Sequence, residues 1–272
     1  MRDDWIVLGL ASQAASRGAS FVLVTVTNAK GSTPRNPGAR LLWMPGDDGG
    51  TWHGTVGGGQ FEHLVRADAE ECLAKRECFT REYVLGADAD QCCGGVMQVF
   101  FEFVGPRERV VIFGAGHVAQ ATVELLNAAS LEVVVVDDRE EWNSAERFPG
   151  ARRALTWDEG VEAASREPGR TLTLVMTCSH DTDFELLRRL VPVSPAFLGL
   201  IGSRSKRACL FGRLVASGLD EEAVGRVRCP IGVGDTGKDP KLVAISIAAE
   251  ILIESRKMSG TRDRGGVGVR RG

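Results

Sequence analysis

The chain has 272 residues, 43% of them hydrophobic and 25% charged, which is typical of a globular protein with about two domains. Its formal net charge of -3 gives no electrostatic reason to expect nucleic acid or an anionic membrane as a partner. The N-terminal sequence lacks the apolar core of a signal peptide, and no apolar run is long enough to span a bilayer. We therefore expect a cytoplasmic protein.

The cysteines and histidines argue against two common kinds of structural site. The seven cysteines are an odd number, lie scattered along the chain and include no Cys-x-x-Cys pair. The four histidines are not spaced like zinc ligands. We therefore expect neither a disulfide framework nor a structural zinc site.

The first part of the chain, up to about Pro106, has the pattern of a mixed α+β domain. Short β-branched or apolar runs predict strands, and a longer run with helical spacing predicts a helix. The predicted elements are a helix over 5–17, strands over 20–28, 39–44 and 51–56, a helix over 60–74, and strands over 78–85 and 96–104.

Two loops of this region are candidates for binding an anion. One contains Lys30 and Arg35 in a stretch rich in Gly, Ser and Pro. The other is Gly57-Gly58-Gly59, directly before the helix predicted over 60–74, where free backbone N–H groups can bind a phosphate. The same three glycines also fit a tight turn that only starts the helix. The residues alone fit both interpretations.

The segment Gln91-Cys92-Cys93-Gly94-Gly95 is the most informative one in the chain. Adjacent Cα atoms lie about 3.8 Å apart, which is too close for an unstrained disulfide between Cys92 and Cys93. The glycines that follow leave the backbone open to a ligand. Exposed thiols beside an open backbone suit soft-metal or sulfur chemistry. The alternative is that both cysteines pack as small apolar residues at the start of a strand.

From Arg109 onward the pattern changes to an alternation of strands and helices, which predicts a parallel sheet. The predicted strands are 110–113, 132–136, 153–156, 172–176 and 196–201. The predicted helices are 117–129, 158–166, 182–191, 204–217 and a last one that starts at Pro240. The fold class is therefore α/β, with an N-terminal mixed α+β domain followed by a Rossmann-like doubly wound parallel-sheet domain.

A glycine pattern follows the first strand of this second domain. Gly114 and Gly116 occupy the first two places of Gly-x-Gly-x-x-Gly/Ala, and His117 opens the next helix. Asp137 ends the second strand, close to where an acid that binds ribose is expected. The order of strand, glycines, helix, strand and acid predicts a Rossmann fold that binds a dinucleotide or a related phosphate. The fold alone does not fix the ligand, because Rossmann domains have many functions.

Two later loops follow strands of the same predicted sheet, where α/β proteins bind ligands. The first carries His180, a candidate acid, base or ligand. The second carries Ser203 and Lys206, which are candidates for a phosphate contact. Both loops also allow a structural interpretation. In the first loop Ser179 or Asp181 can cap a helix, and in the second the basic residues fit a solvated helix start.

Taken together, these segments resemble one family in their order along the chain. The chain is similar to the XdhC/CoxI family of xanthine dehydrogenase accessory proteins, also called molybdenum cofactor insertion proteins. The matching segments are 31–35, 54–59, 91–95, 111–119, 177–181, 199–207, 229–232 and 238–240. They are spread over nearly all of residues 5–255. The most specific of them are the paired cysteines together with Ile-Gly-Ser-Arg at 201–204 and Cys-Pro-Ile-Gly at 229–232.

The resemblance implies an accessory protein rather than an enzyme, with no catalytic residue of its own. It implies binding of the molybdenum-pterin cofactor, protection of that cofactor during sulfuration, in which an oxo ligand is exchanged for sulfido, and delivery to xanthine dehydrogenase. The implied partners are the xanthine dehydrogenase apo-enzyme and a cysteine desulfurase. A soft thiolate of Cys92 or Cys93 suits a contact to molybdenum, and either thiol alternatively suits a persulfide.

The residues and the resemblance together give a predicted site and domain plan. The predicted cofactor-binding residues are Cys92, Cys93, Gly94, Gly95, Arg35, Gly57, Gly58, Gly59, Gly114, Gly116, His117, Asp137, His180, Ser203 and Lys206. The predicted domains are 1–106 and 107–256, followed by a disordered Arg/Gly-rich tail over 257–272. We expect a homodimer, because two modest domains bury more surface by pairing.

Two other functions fit the glycine pattern. One is an NAD(P)-dependent oxidoreductase that uses the second domain, although no catalytic Tyr-Lys pair is evident and Tyr83, the sole tyrosine, lies in the first domain. The other is a dinucleotide sensor without chemistry of its own. Binding of NADH or NADPH with turnover would indicate the oxidoreductase, and binding without turnover would indicate the sensor. Absence of binding would favour the accessory role over both.

Overall fold

A computed structural model describes residues 2–46, 49–85, 94–129, 131–260 and 268–271. The chain divides into two compact units. Unit 1 consists of Met1–Pro106 together with Arg262–Gly272, and unit 2 consists of Arg107–Thr261. Within the described ranges, no helix is both long and apolar enough to span a membrane.

Unit 1 is built on an antiparallel sheet. Its elements are α1 (Arg2–Ser16), β1 (Phe21–Lys30), β2 (Arg40–Met44), β3 (Thr51–Gly54), α2 (Gly59–Lys75), β4 (Phe79–Val84) and β5 (Val96–Val104). The strand order β4-β5-β1-β2-β3 places the long strands β5 and β1 at the centre, paired over most of their length.

Helix α2 packs on the sheet of unit 1 because both elements have one apolar face. Alternate residues of β5, including Met97, Val99 and Phe101, are fully buried, as the two-residue period of a strand dictates. They meet buried residues of α2 such as Phe61 and Val65, spaced four apart on one helix face. This packing fixes where α2 begins, and with it the position of the three glycines at its start.

Unit 2 has a five-stranded parallel sheet. Its elements are β6 (Glu108–Phe113), α3 (His117–Leu126), β7 (Leu131–Val136), β8 (Arg152–Ala154), α4 (Trp157–Ser165), β9 (Thr171–Val175), α5 (His180–Val193), β10 (Phe197–Leu200), α6 (Arg204–Ala216), α7 (Glu221–Gly225) and α8 (Pro240–Gly260). The strand order is β10-β9-β6-β7-β8. The chain runs outward from β6 to β8 and then returns to β9, so the order reverses between β6 and β9.

Helices cover both faces of this sheet. Val111 and Phe113 of β6 belong to one core cluster with residues of α4, α5 and α6. Their neighbours Val110 and Ile112 belong to a second cluster with residues of α3 and α8. The central strands β6 and β7 are therefore continuously apolar over 110–113 and 133–136, as the sequence indicates. The predicted fold class, a mixed α+β region followed by a Rossmann-like doubly wound sheet, is confirmed.

The end of the chain differs from the predicted disordered tail over 257–272. Helix α8 continues to Gly260, beyond the predicted domain end at 256. Residues Gly268–Arg271 form a further strand, β11, which pairs in parallel with β4 at the edge of the unit 1 sheet. The sequence Gly-Val-Arg-Arg does not by itself predict a strand. The segment pairs with β4 because an edge strand has unpaired backbone N–H and C=O groups.

Candidate functional site

In unit 1, two of the predicted loops lie against each other. A Cβ atom placed on Gly95 would lie 2.3 Å from the carbonyl oxygen of Ser32 and 2.8 Å from that of Lys30. A Cβ on Gly31 would lie 3.2 Å from Gly95 Cα. Such distances leave no room for a side chain, so glycine at 95 lets the two backbones touch. The loop after β1 and the start of β5 therefore form one surface.

The three glycines before α2 belong to the same surface. A Cβ on Gly57 would lie 3.0 Å from Pro34 Cγ and 2.9 Å from a ring carbon of Phe61, so Gly57 packs between the first loop and the helix. The tertiary structure thus brings together loop 30–35, the segment 57–59 and the pair 94–95. We call these three segments the glycine surface of unit 1. Their residues are far apart in sequence, and the fold of unit 1 makes them neighbours.

Two glycines of this surface have no packing reason to be glycine. A Cβ on Gly58 or on Gly94 would meet nothing within 4 Å, and neither has the positive φ that favours glycine. Both residues are exposed. Gly58 is the N-cap of α2 and supplies no side-chain cap to that helix. The lack of side chains at these two positions leaves the backbone open to an incoming molecule.

The charges near the start of α2 are mixed. A carboxylate oxygen of Glu62 lies 2.5 Å from Thr55 Oγ1, and the other accepts a hydrogen bond from Arg66 at 2.9 Å. This carboxylate in the first turn offsets part of the positive end of the helix dipole. Arg35 and Lys30 are exposed and have no ion-pair partner among the described residues, so they supply the free positive charge of this surface.

Cys92 and Cys93 directly precede Gly94 but lie outside the described residues. Their predicted roles in cofactor and molybdenum binding therefore stay predictions. Among the residues that the structure does describe, no group of three or more His, Cys, Asp or Glu side chains is placed to hold a metal ion.

In unit 2, the glycine loop after β6 lies at the point where the strand order reverses. Gly114 has φ +107°, and a Cβ there would lie 2.4 Å from the Met176 carbonyl oxygen at the end of β9. Gly116 has φ -71° and is the N-cap of α3, again without a side-chain cap. A Cβ on Gly116 would meet nothing within 4 Å. Gly114 is thus required by the fold, whereas Gly116 leaves space open at the helix start.

Asp137 stabilises this loop from within, which differs from the predicted contact with a ligand. Its side chain is 1% exposed. One carboxylate oxygen accepts hydrogen bonds from the Ala115 backbone N–H at 2.7 Å and from Arg139 Nη2 at 2.7 Å. The other accepts from Arg139 Nε at 2.8 Å and from the Arg139 backbone N–H at 3.1 Å. The carboxylate has no exposed oxygen to offer to a ribose.

Burial of Asp137 alone raises the pKa of its carboxyl, but the hydrogen bonds from Arg139 and from Ala115 outweigh burial and lower the pKa. A lowered pKa means that the ionised carboxylate stabilises the fold. This contribution is fully present above the unfolded pKa of about 3.9 and is lost as the pH falls through the lower, folded pKa.

We therefore expect Asp137→Asn to reduce the free energy of unfolding by about 1–3 kcal/mol at pH 7, because an amide replaces a charged acceptor. The loss shrinks as the pH falls from about 4 through the lower pKa of the folded state, because the carboxylate of the wild type is then protonated as well. Urea unfolding at several pH values measures both effects. The exposed neighbour gives the control, since Asp138→Asn should change the free energy of unfolding by less than about 0.5 kcal/mol. Equal losses of unfolding free energy in Asp137→Asn and Asp138→Asn would contradict the stabilising role given to the Asp137 carboxylate.

Three residues that the sequence did not single out lie beside the glycine loop of unit 2. The guanidinium carbons of Arg139 and Arg147 lie 5.2 Å and 4.7 Å from the ring centre of Trp142. The ring of His117, exposed at the start of α3, lies 5.4 Å from the same ring in a T-shaped contact. The sequence could have indicated Arg139, because it lies two residues after the predicted Asp137. Nothing in the sequence indicated Arg147 or Trp142, because only the fold places them at this loop.

The later loops of unit 2 serve mainly the fold. Ser179 and Ser203 cap α5 and α6 by accepting hydrogen bonds from the backbone N–H groups of Thr182 and Lys206. Lys206 forms an ion pair with the fully buried Asp183 and donates to the Ile201 carbonyl oxygen at 3.0 Å. Ser203 and Lys206, predicted to contact phosphate, are thus engaged within the protein. His180 is exposed at the start of α5.

The end of β10, directly before the motif Ile-Gly-Ser-Arg at 201–204, packs against the segment that contains Cys-Pro-Ile-Gly at 229–232. A Cβ on Gly199 would lie 2.3 Å from Ile231 Cγ2, and the Leu200 N–H donates to the Arg228 carbonyl oxygen at 2.8 Å. The segment Cys229-Pro230-Ile231-Gly232 therefore packs along β10. Burial raises the pKa of the Cys229 thiol, which disfavours its reactive thiolate. These motifs maintain the edge of the sheet.

The fold and these two glycine-lined surfaces define a two-unit α/β protein whose second unit is a Rossmann domain. A family model described as the XdhC Rossmann domain matches residues 110–251, and one described as the XdhC and CoxI family matches residues 14–84. The first match alone covers more than half of the chain. The chain belongs to the XdhC and CoxI family, and the predicted resemblance is confirmed.

Three proteins with similar sequences show how far the likeness extends. YqeB, an uncharacterized protein of Escherichia coli (strain K12), is 31% identical over 89% of this chain and 45% of its own length. PaoD of the same strain, a molybdenum cofactor insertion chaperone, is 23% identical over 92% of this chain and 88% of its own. A probable xanthine dehydrogenase subunit from Bacillus subtilis (strain 168) is 24% identical over 58% of this chain and 46% of its own. The chain thus spans less than half the length of two of these relatives.

Proposed function

We propose that this chain is an accessory protein that binds the molybdenum-pterin cofactor as cargo and passes it to a xanthine dehydrogenase apo-enzyme. The glycine surface of unit 1 is the observation that carries the proposal, because it joins three segments of the family pattern into one open patch. Family membership and the likeness to PaoD support the same role. The similarity to a probable xanthine dehydrogenase subunit supports a xanthine dehydrogenase as the protein that receives the cofactor.

The chemistry of the glycine surface suits such a cargo. No side chain at Gly58 or Gly94 blocks an approaching ligand, and Arg35 supplies a positive charge for a phosphate. Cys92 and Cys93, which precede Gly94 in the chain, would add a soft sulfur ligand for molybdenum. In this proposal the protein holds the cofactor and limits its contact with water while a cysteine desulfurase supplies the sulfur for the sulfido ligand. Assembly as a homodimer remains a prediction.

The proposal does not extend to a dinucleotide-dependent oxidoreductase. NAD(P) has no support from the related proteins, and Asp137, the residue predicted to bind ribose, has its carboxylate engaged by Ala115 and Arg139. The accessory role requires neither turnover nor a catalytic residue.

Gel filtration of the purified chain mixed with molybdenum cofactor tests the proposal. We expect pterin, detected by its fluorescence after oxidation, to co-elute with the protein. Replacement of both thiols in Cys92→Ser/Cys93→Ser should weaken retention at least about tenfold, since loss of one metal contact costs about 1.4 kcal/mol or more. If the wild-type protein retains no pterin, the proposal is wrong.

The control is the double variant Cys178→Ser/Cys209→Ser, which makes the same change at two exposed cysteines of unit 2. It should retain pterin like the wild type. Equal retention by all three proteins would remove the paired cysteines from the binding step while leaving cofactor binding itself intact.

A further inference from the structure

Helix α8 of unit 2 is apolar on two opposite faces. One face is buried against the sheet and α3 and includes Ile247, Ala248 and Ile251. The opposite face carries a row that we call the α8 stripe, which consists of Leu242, Ile245, Ala249, Leu252 and Ile253. Its four large side chains are 42–52% exposed, and no other described element exposes as many large hydrophobic side chains. A helix that is apolar all round is normally covered on all sides, so the α8 stripe indicates a surface that packs against another molecule.

The loop before α8 extends this apolar surface without covering it. The Val233 N–H donates to the Ser246 carbonyl oxygen at 3.3 Å, which places Val233, itself 59% exposed, beside the middle of the helix. Ser246 Oγ accepts a hydrogen bond from the Gly234 N–H and donates one to the Gly234 carbonyl oxygen. The loop is therefore held beside the α8 stripe, and the stripe remains open.

The spacing within the α8 stripe fits a second, antiparallel copy of the same helix. The steps of three, four and three residues are those of the seam between two packed helices, and they join Leu242, Ile245, Ala249 and Leu252. Ile245 and Ile253 lie four residues before and after the small Ala249. When a twofold axis passes between two antiparallel helices at Ala249, Ile245 of each copy lies opposite Ile253 of the other. A twofold interface requires this self-complementarity because the same patch serves both copies, whereas a different protein would not require it.

The charges at the two ends of the α8 stripe fit the same arrangement. Arg256 is exposed and forms no ion pair among the described residues. Asp239 is exposed at the start of α8, where it accepts hydrogen bonds from the Lys241 and Leu242 N–H groups. In the antiparallel pair, Arg256 of each copy lies opposite Leu242 of the other, about one helical turn from that copy's Asp239. Opposite charges therefore meet at both ends of the apolar contact.

We propose that two copies of this chain pair through the α8 stripe, with the two helices antiparallel and Ala249 at the twofold axis. The homodimer expected from the sequence had no assigned surface, and this inference supplies one. It does not depend on the proposed function, because the contact involves neither the glycine surface nor the cofactor.

Analytical ultracentrifugation of the full chain tests the proposal over protein concentrations from about 1 to 100 μM. We expect a monomer–dimer equilibrium with a micromolar dissociation constant, since a contact of about three helical turns is smaller than the roughly 800 Å² per partner of a standard interface. Ile245→Lys and Ile253→Glu should each raise the dissociation constant at least about 100-fold, because each places two charges in an apolar contact. Val215→Lys makes a similar change at an exposed position of α6, on the other face of the sheet, and should leave the constant unchanged.

A mixture of the two variants tests the antiparallel geometry itself. In a heterodimer of Ile245→Lys with Ile253→Glu, the introduced ammonium lies opposite the introduced carboxylate, and the unchanged Ile253 and Ile245 lie opposite each other. We therefore expect the mixture to dimerise at concentrations where each variant alone is monomeric. Far-UV circular dichroism checks that the variants are folded, which their exposed positions favour. A wild type that is monomeric at 100 μM, a dimer that either variant retains, or a mixture of folded variants that stays monomeric overturns the proposal.

Discussion

Replacing Gly95 by alanine is expected to lower the free energy of unfolding by about 3 kcal/mol, near the upper end of the range for overpacking. The new Cβ would lie 2.3 Å from the backbone oxygen of Ser32, in the loop after β1, and 2.8 Å from that of Lys30, the last residue of β1. Backbone atoms cannot rotate away as a side chain can, so either the loop or the start of β5 must shift. Chemical denaturation of the variant measures the loss.

The adjacent Gly94→Ala is the matched control, because its Cβ would meet nothing within 4 Å. We expect this variant to unfold within about 0.5 kcal/mol of the wild type. If the glycine surface binds the cofactor, the methyl group of Gly94→Ala will reduce pterin retention while stability is unchanged. A stable Gly95→Ala protein would contradict the packing described for loop 30–35, and full retention by Gly94→Ala would argue against the open backbone as part of the binding surface.

Replacing Lys206 by methionine is expected to have the largest effect in unit 2, a loss of about 3–5 kcal/mol in the free energy of unfolding. The side chain of Asp183 is fully buried and that of Lys206 is 11% exposed. Without the ammonium group, the Asp183 carboxylate keeps the hydrogen bond from Thr177 Oγ1 at 2.7 Å, but its charge is left unbalanced inside the protein. Urea unfolding measures this loss.

A second substitution separates this structural role from the predicted phosphate contact. In Asp183→Asn/Lys206→Met the buried charge is gone, so we expect much of the lost stability to return. Lys257→Met is the control, because the side chain of Lys257 is 65% exposed in its ion pair with Glu254, and such pairs contribute about 0–1 kcal/mol. A stable Lys206→Met protein with weakened ligand binding would instead support the phosphate contact.

The elements were predictable where burial leaves a periodic pattern in the sequence. Strand β5 was predicted at its observed bounds because its alternate residues face the core of unit 1. The continuous apolar runs of β6 and β7 indicated strands buried on both faces. Helix α7 is only five residues long and was missed, since so short a segment carries little periodicity. Strand β11 was missed because its pairing with β4 is a long-range contact.

The candidate sites were predictable only in part, because one residue type serves several purposes. Gly114 and Gly116 belong to one motif, yet the first is required by its contact with Met176 and the second leaves open space. In the same way Lys206 had the sequence signature of a phosphate ligand, but the fold brings Asp183 next to it. A motif gives residue types and spacing, and it does not give the neighbours that engage a side chain.

The amino-acid sequence alone determined the family, the order of the helices and strands, and the segments in which binding residues are to be sought. These properties depend on local spacing and on residue type, which a sequence displays directly. Only the tertiary structure decided which of those residues remain free to meet a ligand. That property depends on contacts between segments distant in sequence, such as Gly95 against Ser32, Asp137 against Ala115 and Lys206 against Asp183. An atom engaged by such a contact is no longer available to a ligand.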